Sequence, residues 1–341
     1  MRVTILTEDK HLAYEEFVKS HPAAMIYYSI KFKKFLEKQT NSEALYLMAI
    51  DENDEIQGVL PLMFKDGNIG KVLNSLSYYG SNGGILSKKD AAKNLLIDKY
   101  IELVNSGQYI ASTLISNPLD LDYPYDIIIY DEIDVRVGQL TNICCNINSL
   151  DELMLRFDSK TRNIIRKAIK SDVKVNIEND QFDFLRDTHI DNMKSIGGLA
   201  KESSFFQNVE DIFEAGMDYN IFVARINEMP VAATLVFYYG KVVEYYTPVI
   251  VKEYRSFQPL SLIISTAMLN ASGAGFEWWN WGGTWKSQEG VYDFKSKWGT
   301  EDREYVYYVS ILNKELYFHP KDELLKQYSG FYVLPFSSLK S

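Results

Sequence analysis

The feature that most constrains this chain is an order of segments that occurs twice. Residues 44–50, 56–64 and 72–79 are apolar runs separated by Asp51-Glu52-Asn53-Asp54 and Asp66-Gly67-Asn68. Turn-forming residues between apolar runs predict an antiparallel meander. A loop, a helical pattern over 91–104 and a strand over 110–115 follow. Residues 221–226, 231–238 and 242–248 repeat the meander, with turns at Asn227-Glu228-Met229 and Gly240-Lys241. Helical spacing then runs over 260–271, Gly273 and Gly275 stop it, and 277–281 is the next strand. Recurrence on this scale predicts two like units. A chain of 341 residues with 46% hydrophobic content can bury two ordinary cores. The expected fold class is therefore α/β, mixed sheets with helices, in two domains, 1–148 and 149–341. Ahead of the first meander stand a strand over 3–6 and helices over 10–19 and 30–39, separated by Pro22. The tail carries one amphipathic helix candidate, 321–328.

Composition removes several classes of function. A net charge of -10 opposes a general polyanion-binding surface, so DNA is excluded as a partner and any other nucleic-acid contact has to be local. Cys144 and Cys145 are adjacent, which suits neither a disulfide framework nor a zinc site. His11, His21, His189 and His319 are far apart and none accompanies a nucleophile motif, so no metal site is expected. No stretch approaches the roughly 20 apolar residues of a membrane span, and the N-terminus has no apolar signal region. A cytoplasmic protein is expected.

Residues 276–299, FEWWNWGGTWKSQEGVYDFKSKWG, are the stretch least easily explained as core alone. A buried strand over 276–281 meets Gly282 and Gly283, which allow positive φ or close approach of a ligand. After Gly290, a short element carries Phe294, Lys295, Lys297 and Trp298 up to Gly299. Tryptophans belong in cores, but lysines are seldom set beside an apolar turn for packing. Two ammonium groups among aromatic rings could meet anionic oxygens.

A second basic feature lies in residues 158–174, an amphipathic helix with Ser159 as expected N-cap and Ile165, Ala168 and Ile169 expected toward the core. Arg162, Arg166 and Lys170 are spaced by four and share a face, which is either a solvated stripe or a phosphate grip.

The run Gly290-Val291-Tyr292-Asp293-Phe294-Lys295-Ser296-Lys297-Trp298-Gly299 resembles the C-terminal signature of FemAB-type acyltransferases, relatives of the GNAT N-acetyltransferases. Tyr78-Tyr79-Gly80-Ser81-Asn82-Gly83-Gly84 resembles a glycine-rich segment of the first unit in those proteins. The resemblance covers about 20–310 and implies two tandem GNAT-like (acyl-CoA N-acyltransferase) domains, with Phe294 and Lys295 at the reaction centre. It also implies that Arg162, Arg166 and Lys170 lie near phosphates and that Tyr79 and Asn82 contact substrate; Trp285 is a further substrate-binding candidate. The loop equivalent to the GNAT pyrophosphate loop is 253–260, which gives Arg255, Ser256 and Gln258 as donor-binding candidates. That loop departs from the family pattern: it holds no glycine, and Pro259 lacks an N–H.

Acyl transfer to an amine needs a proton acceptor and donors that stabilise the tetrahedral oxyanion. Lys295 suits the second role. Glu244 and Asp293 are the carboxylates best placed for the first, with Glu202 behind them. The expected activity is transfer from acyl-CoA, a co-substrate with no permanently bound cofactor, to an amino group of a nucleotide-linked amino sugar or cell-envelope precursor. Aminoacyl-tRNA-dependent transfer to a peptidoglycan precursor is the alternative, with tRNA the less favoured partner, and a catalytically silent GNAT-fold binding module is another.

Overall fold

The computed structural model describes residues 1–78, 83–120, 130–144, 147–285, 287–335 and 338. Contacts divide the chain into two compact units: Met1–Arg136 with Glu304–Ser341, and Val137–Arg303.

The first unit opens with β1 (Arg2–Ile5), α1 (His11–Ser20), α2 (Ile30–Thr40) and the short β2 (Glu43–Ala44). Ser29 caps α2 by accepting from Phe32 N at 3.0 Å. The meander comprises β3 (Leu47–Ile50), β4 (Ile56–Leu60), β5 (Met63–Gly67) and β6 (Gly70–Asn74). Residues 56–64, expected as one strand, are two. Pro61 offers no N–H to a ladder, and the chain changes sheet across it. β3 and β4 join β1 and β7 (Leu86–Ser87) in a four-stranded sheet, whereas β5 and β6 belong with β2 and β8 (Tyr109–Ile115). Between β7 and β8 lies α3 (Asp90–Val104), whose Leu96, Tyr100 and Val104 recur at four-residue spacing on the buried side. β6 and β8 pair in parallel, with α3 between them in sequence.

In the second unit, residues 137–142 of β9 (Glu132–Asn142) precede α4 (Leu150–Met154) and α5 (Ser159–Lys170). Asp158 and not Ser159 caps α5, accepting from Lys160 N at 2.6 Å. Then come β10 (Lys174–Ile177), α6 (Phe182–Ser195), α7 (Ser203–Ile212), β11 (Tyr219–Ile226), β12 (Met229–Tyr239) and β13 (Val242–Ile250). α8 (Pro259–Gly273) is buried nearly all round, with Leu262, Ile263, Ile264, Ala267, Met268 and Ala271 in the core, so its pattern is weakly amphipathic. It returns the chain to β14 (Trp278–Thr284), parallel to β13, and α9 (Glu289–Ser296) follows. β14 begins later than the expected strand and runs through Gly282 and Gly283, which therefore lie in the strand and do not end it.

Closing the first unit, β15 (Thr300–Ile311) pairs with β8 through residues 307–311, and α10 (Lys321–Gln327) fills the tail helix site. The expected division had put this tail with the second unit. Strand pairing decides otherwise, and so does Tyr328, whose hydroxyl donates to Gly70 O at 2.8 Å.

Among the described residues no helix is long and apolar enough to cross a membrane.

Candidate active site

β13 and β14 pair over Val242↔Trp278, Val243↔Trp279 and Glu244↔Asn280, and no further. Two irregularities accompany the parting. The β12–β13 register shifts so that Tyr246 is an extra residue between partners of Leu235 and Val236, and the β14–β9 register shifts between Asn280 and Gly283. A bulge bends a strand and re-aims its side chains. The last paired residues, Glu244 and Asn280, therefore sit where the sheet opens. Both are buried, and Asn280 Nδ2 donates to Glu244 Oε1 at 3.1 Å. The other end of the same amide, Asn280 Oδ1, accepts from Gly282 N at 2.9 Å.

Lys295 reaches the same strand from α9. Its Nζ donates to Thr284 Oγ1 at 2.7 Å and, at 3.4 Å, to Gly282 O. An ammonium has three donors, so one has no partner among the described residues. With 8% of the residue exposed, loss of water pulls its pKa down to about 8. The sequence reading puts Lys295 beside Phe294 and Trp298 with its charge directed inward and not out to water. In the structure the charge faces the end of β14.

The aromatic residues form one cluster. Trp281 meets Phe294 edge-on at 6.0 Å and Trp298 at 5.5 Å, and Phe157 packs on Trp298 at 5.0 Å. Thr141 Oγ1 accepts from Trp281 Nε1 at 2.9 Å and donates to Trp298 O at 3.0 Å, which ties the rings to the neighbouring strand. Trp279 and Trp298 are fully buried core, whereas Phe294 is 37% exposed. Phe294 lines a cavity of about 230 Å³ together with Lys160, Thr161, Gly290, Asp293 and Trp298. Gly299 takes φ 69°, and a Cβ there would stand 2.4 Å from Arg156 O, so the last glycine of the motif is fixed by backbone geometry.

The remaining candidates are scattered. Asp293 is exposed and pairs with Lys297, one turn away. Arg162 is half-buried and donates to Phe157 O at 2.7 Å, while Arg166 and Lys170 are exposed on α5. Ile169, expected in the core, is 48% exposed at the edge of the face on which Ile165 and Ala168 are buried. Arg255 and Ser256 are exposed in a 3-10 turn over Lys252–Phe257, and Gln258 adopts φ 63° before Pro259 starts α8. Trp285 is half-buried directly after β14. Glu202 is exposed and accepts from Ser204 Oγ at 3.2 Å. Tyr79 and Asn82 lie outside the described residues, as does Cys145. The sequence reading singled out neither Asn280 nor Thr284, although both partner the residues that it chose. A polar residue within an otherwise apolar strand end is the signal that could have found them.

The FemAB family description matches residues 222–319, which contain β13, β14, α9 and the cavity residues Gly290, Asp293, Phe294 and Trp298. Two curated relatives from Staphylococcus epidermidis strains, both Lipid II:glycine glycyltransferases, are 23% identical over 258 residues, covering 67% of this chain and 57% of each relative. The chain thus spans less than two thirds of the length of those relatives. Among solved structures, FemX superposes with a TM-score of 0.72 at 19% identity, covering 93% of this chain and 99% of FemX. A tandem GNAT protein from the clavulanic acid biosynthesis pathway gives 0.50 at 9% identity, with 91% and 98% covered. The chain is FemAB-like, and its fold is a mixed α/β arrangement shared with tandem GNAT proteins.

Proposed function

We propose that this FemAB-like chain is an aminoacyltransferase that moves an aminoacyl group from aminoacyl-tRNA to an amine of a peptidoglycan precursor. The observation that carries the reading is the buried ammonium of Lys295, held against the end of β14 just beyond the parting of β13 and β14, with one donor unpartnered among the described residues. In the proposed reaction the acceptor amine attacks the ester carbonyl to give a tetrahedral oxyanion, which collapses with cleavage of the ester C–O bond, and the proton lost by the amine passes to the departing ribose oxygen of the tRNA. A fixed positive donor in a site closed to water stabilises that charge more than water would, and removal of one such donor typically costs about 10²–10³ in rate. Phe294, on the cavity wall beside Lys295, is the candidate contact for the donor's end. Arg166 and Lys170, exposed on α5 with Arg162 beside them, are candidates for phosphates.

The relatives' names favour an aminoacyl donor over acyl-CoA, the donor expected first. So does the loop before α8, where Gln258 takes the left-handed conformation and Pro259 offers no N–H to a pyrophosphate. Incubating the protein with charged tRNA or acetyl-CoA, against lipid-linked and nucleotide-linked peptidoglycan precursors, tests the proposal by mass spectrometry. A mass gain of one aminoacyl residue with charged tRNA alone is expected. An acetyl gain returns the donor to acyl-CoA, and no gain with either leaves a binding module.

A further inference from the structure

The register of β14 decides which side of the sheet Thr284 faces. Trp279 and Asn280 stand opposite Thr141 and Leu140, and Gly283 and Thr284 opposite Gly138 and Val137. From Asn280 to Gly283 β14 advances three residues while β9, from Leu140 to Gly138, advances two, so β14 carries one extra residue. Side chains alternate along a strand, and an extra residue exchanges the faces beyond it. In an unbroken ladder Thr284 would share the face of Asn280 and Glu244. Instead it lies opposite Val137, on the face of Thr141, whose Oγ1 accepts from Trp281 Nε1. α9 covers that face, since Phe294 meets Trp281 edge-on and Tyr292 O accepts from Gln139 Nε2 at 3.3 Å. Lys295 comes from the same helix and finds Thr284 Oγ1 there.

Gly282 makes the extra residue possible. It takes φ 72°, the left-handed region in which bulges of one common kind place a glycine. Asn280 Oδ1 holds its N–H, and its carbonyl is the second acceptor of Lys295. Two acceptors on one strand fix two directions of a tetrahedral ammonium and therefore the third. Thr284 is 1% exposed, so the pair is shielded from water. Little else competes for the charge. Asp293 and Lys297 of α9 pair with each other, Lys160 of α5 is exposed, Arg162 donates to Phe157 O, and Glu244 lies across the sheet with Asn280. Residues 137–142 and 278–284 carry no charge.

We infer that Thr284 is a positioning residue for the transfer reaction: turned to the α9 face by the bulge at Gly282, its hydroxyl holds the Lys295 ammonium so that the remaining N–H points to where the oxyanion forms. The inference rests on the proposed transfer for the oxyanion and on the geometry alone for the hold on Lys295. A donor aimed before the substrate arrives needs no reorganisation when charge develops.

Thr284→Val keeps the shape of the side chain and removes the acceptor, whereas Thr284→Ser keeps the acceptor. With charged tRNA as donor, the Val variant is expected to lose about 10² in kcat with KM little changed, and the Ser variant to stay near wild type. Thermal melting checks that both fold. A Val variant with wild-type kcat overturns the inference, and so does a Ser variant that loses as much as Val, because a packing role ignores the hydroxyl. The second measurement needs no turnover: competitive labelling of the intact chain with acetic anhydride, read peptide by peptide by mass spectrometry against exposed Lys194. Loss of an acceptor disfavours the charged ammonium, and a fall of about one pKa unit raises the reactive neutral fraction about tenfold below pH 7. Lys295 labelling is expected to rise by about that factor in Thr284→Val and not in Thr284→Ser. A wild-type chain that transfers nothing sinks the transfer reading and with it the role given to Thr284. A wild type that transfers, with Lys295 labelling unaltered in Thr284→Val, sinks this inference alone.

Discussion

Lys295 Nζ lies 2.7 Å from Thr284 Oγ1, so a buried ammonium ties the last turn of α9 to the end of β14. If that charge stabilises the oxyanion, Lys295→Met lowers kcat and kcat/KM together, by about 10²–10³, with the fold retained. Steady-state kinetics and a circular dichroism spectrum check both halves. A variant that loses only affinity makes Lys295 a ground-state contact, and one with full turnover makes it structural.

The same group predicts a pH dependence. Burial lowers its pKa from 10.5 to about 8, so between those values the unfolded chain holds more protons than the folded one. Its unfavourable contribution to stability is complete below pH 8 and is relieved as pH rises toward 10.5. Activity moves the opposite way: an ammonium that must be charged gives a kcat profile that declines above about pH 8. Lys295→Arg keeps the charge, and where it retains turnover its decline moves to higher pH.

Asn280 joins Glu244 to Gly282 through the two ends of one amide. Asn280→Ala takes a donor from a buried carboxylate and an acceptor from a backbone N–H, and a buried group left short costs about 1–3 kcal/mol. For a unit of this size that lowers Tm by roughly 2–10 °C. Calorimetry against Asn280→Asp separates loss of the bridge from loss of side-chain volume, since Asp keeps the acceptor for Gly282 while placing a second carboxyl beside Glu244.

On α5, Arg162 and Arg166 respond differently. Arg162 donates to Phe157 O, so Arg162→Gln lowers stability by about 1 kcal/mol. Arg166 is exposed and the substitution Arg166→Gln leaves Tm unchanged. If the helix grips phosphate, Arg166→Gln weakens precursor binding by about 1.5–3 kcal/mol in a titration. Unchanged affinity returns that face to solvent.

The sequence carried the element order well where turn residues punctuate apolar runs, as at Asp66-Gly67-Asn68 and Gly240-Lys241. It misread 56–64 because the apolar pattern continues through Pro61 while the hydrogen-bond ladder cannot. The pair α6 and α7 escaped notice because Thr188, His189 and Asn208 occupy buried positions that pattern reading reserves for apolar residues. The aromatic-lysine motif drew attention to Phe294 and Lys295, but direction was not legible. Nothing in FKSKWG tells that Lys295 points back to Thr284, since that depends on the path of β14 through Gly282 and Gly283.

Tyr328 against Gly67 and Gly70 has a consequence for the order in which this protein is made. A Cβ on Gly67 would lie 2.6 Å from the tyrosine hydroxyl, so the tail fits a place left empty for it near the N-terminal end of the chain. Val137–Arg303 is continuous and can fold as soon as it clears the ribosome. Met1–Arg136 is synthesised first but lacks β15 and the tail until residues 304–341 emerge. During translation residues 1–136 therefore wait, with the β8 edge unpaired by β15, until residues 304–341 emerge, and an unpaired strand edge is what chaperones protect.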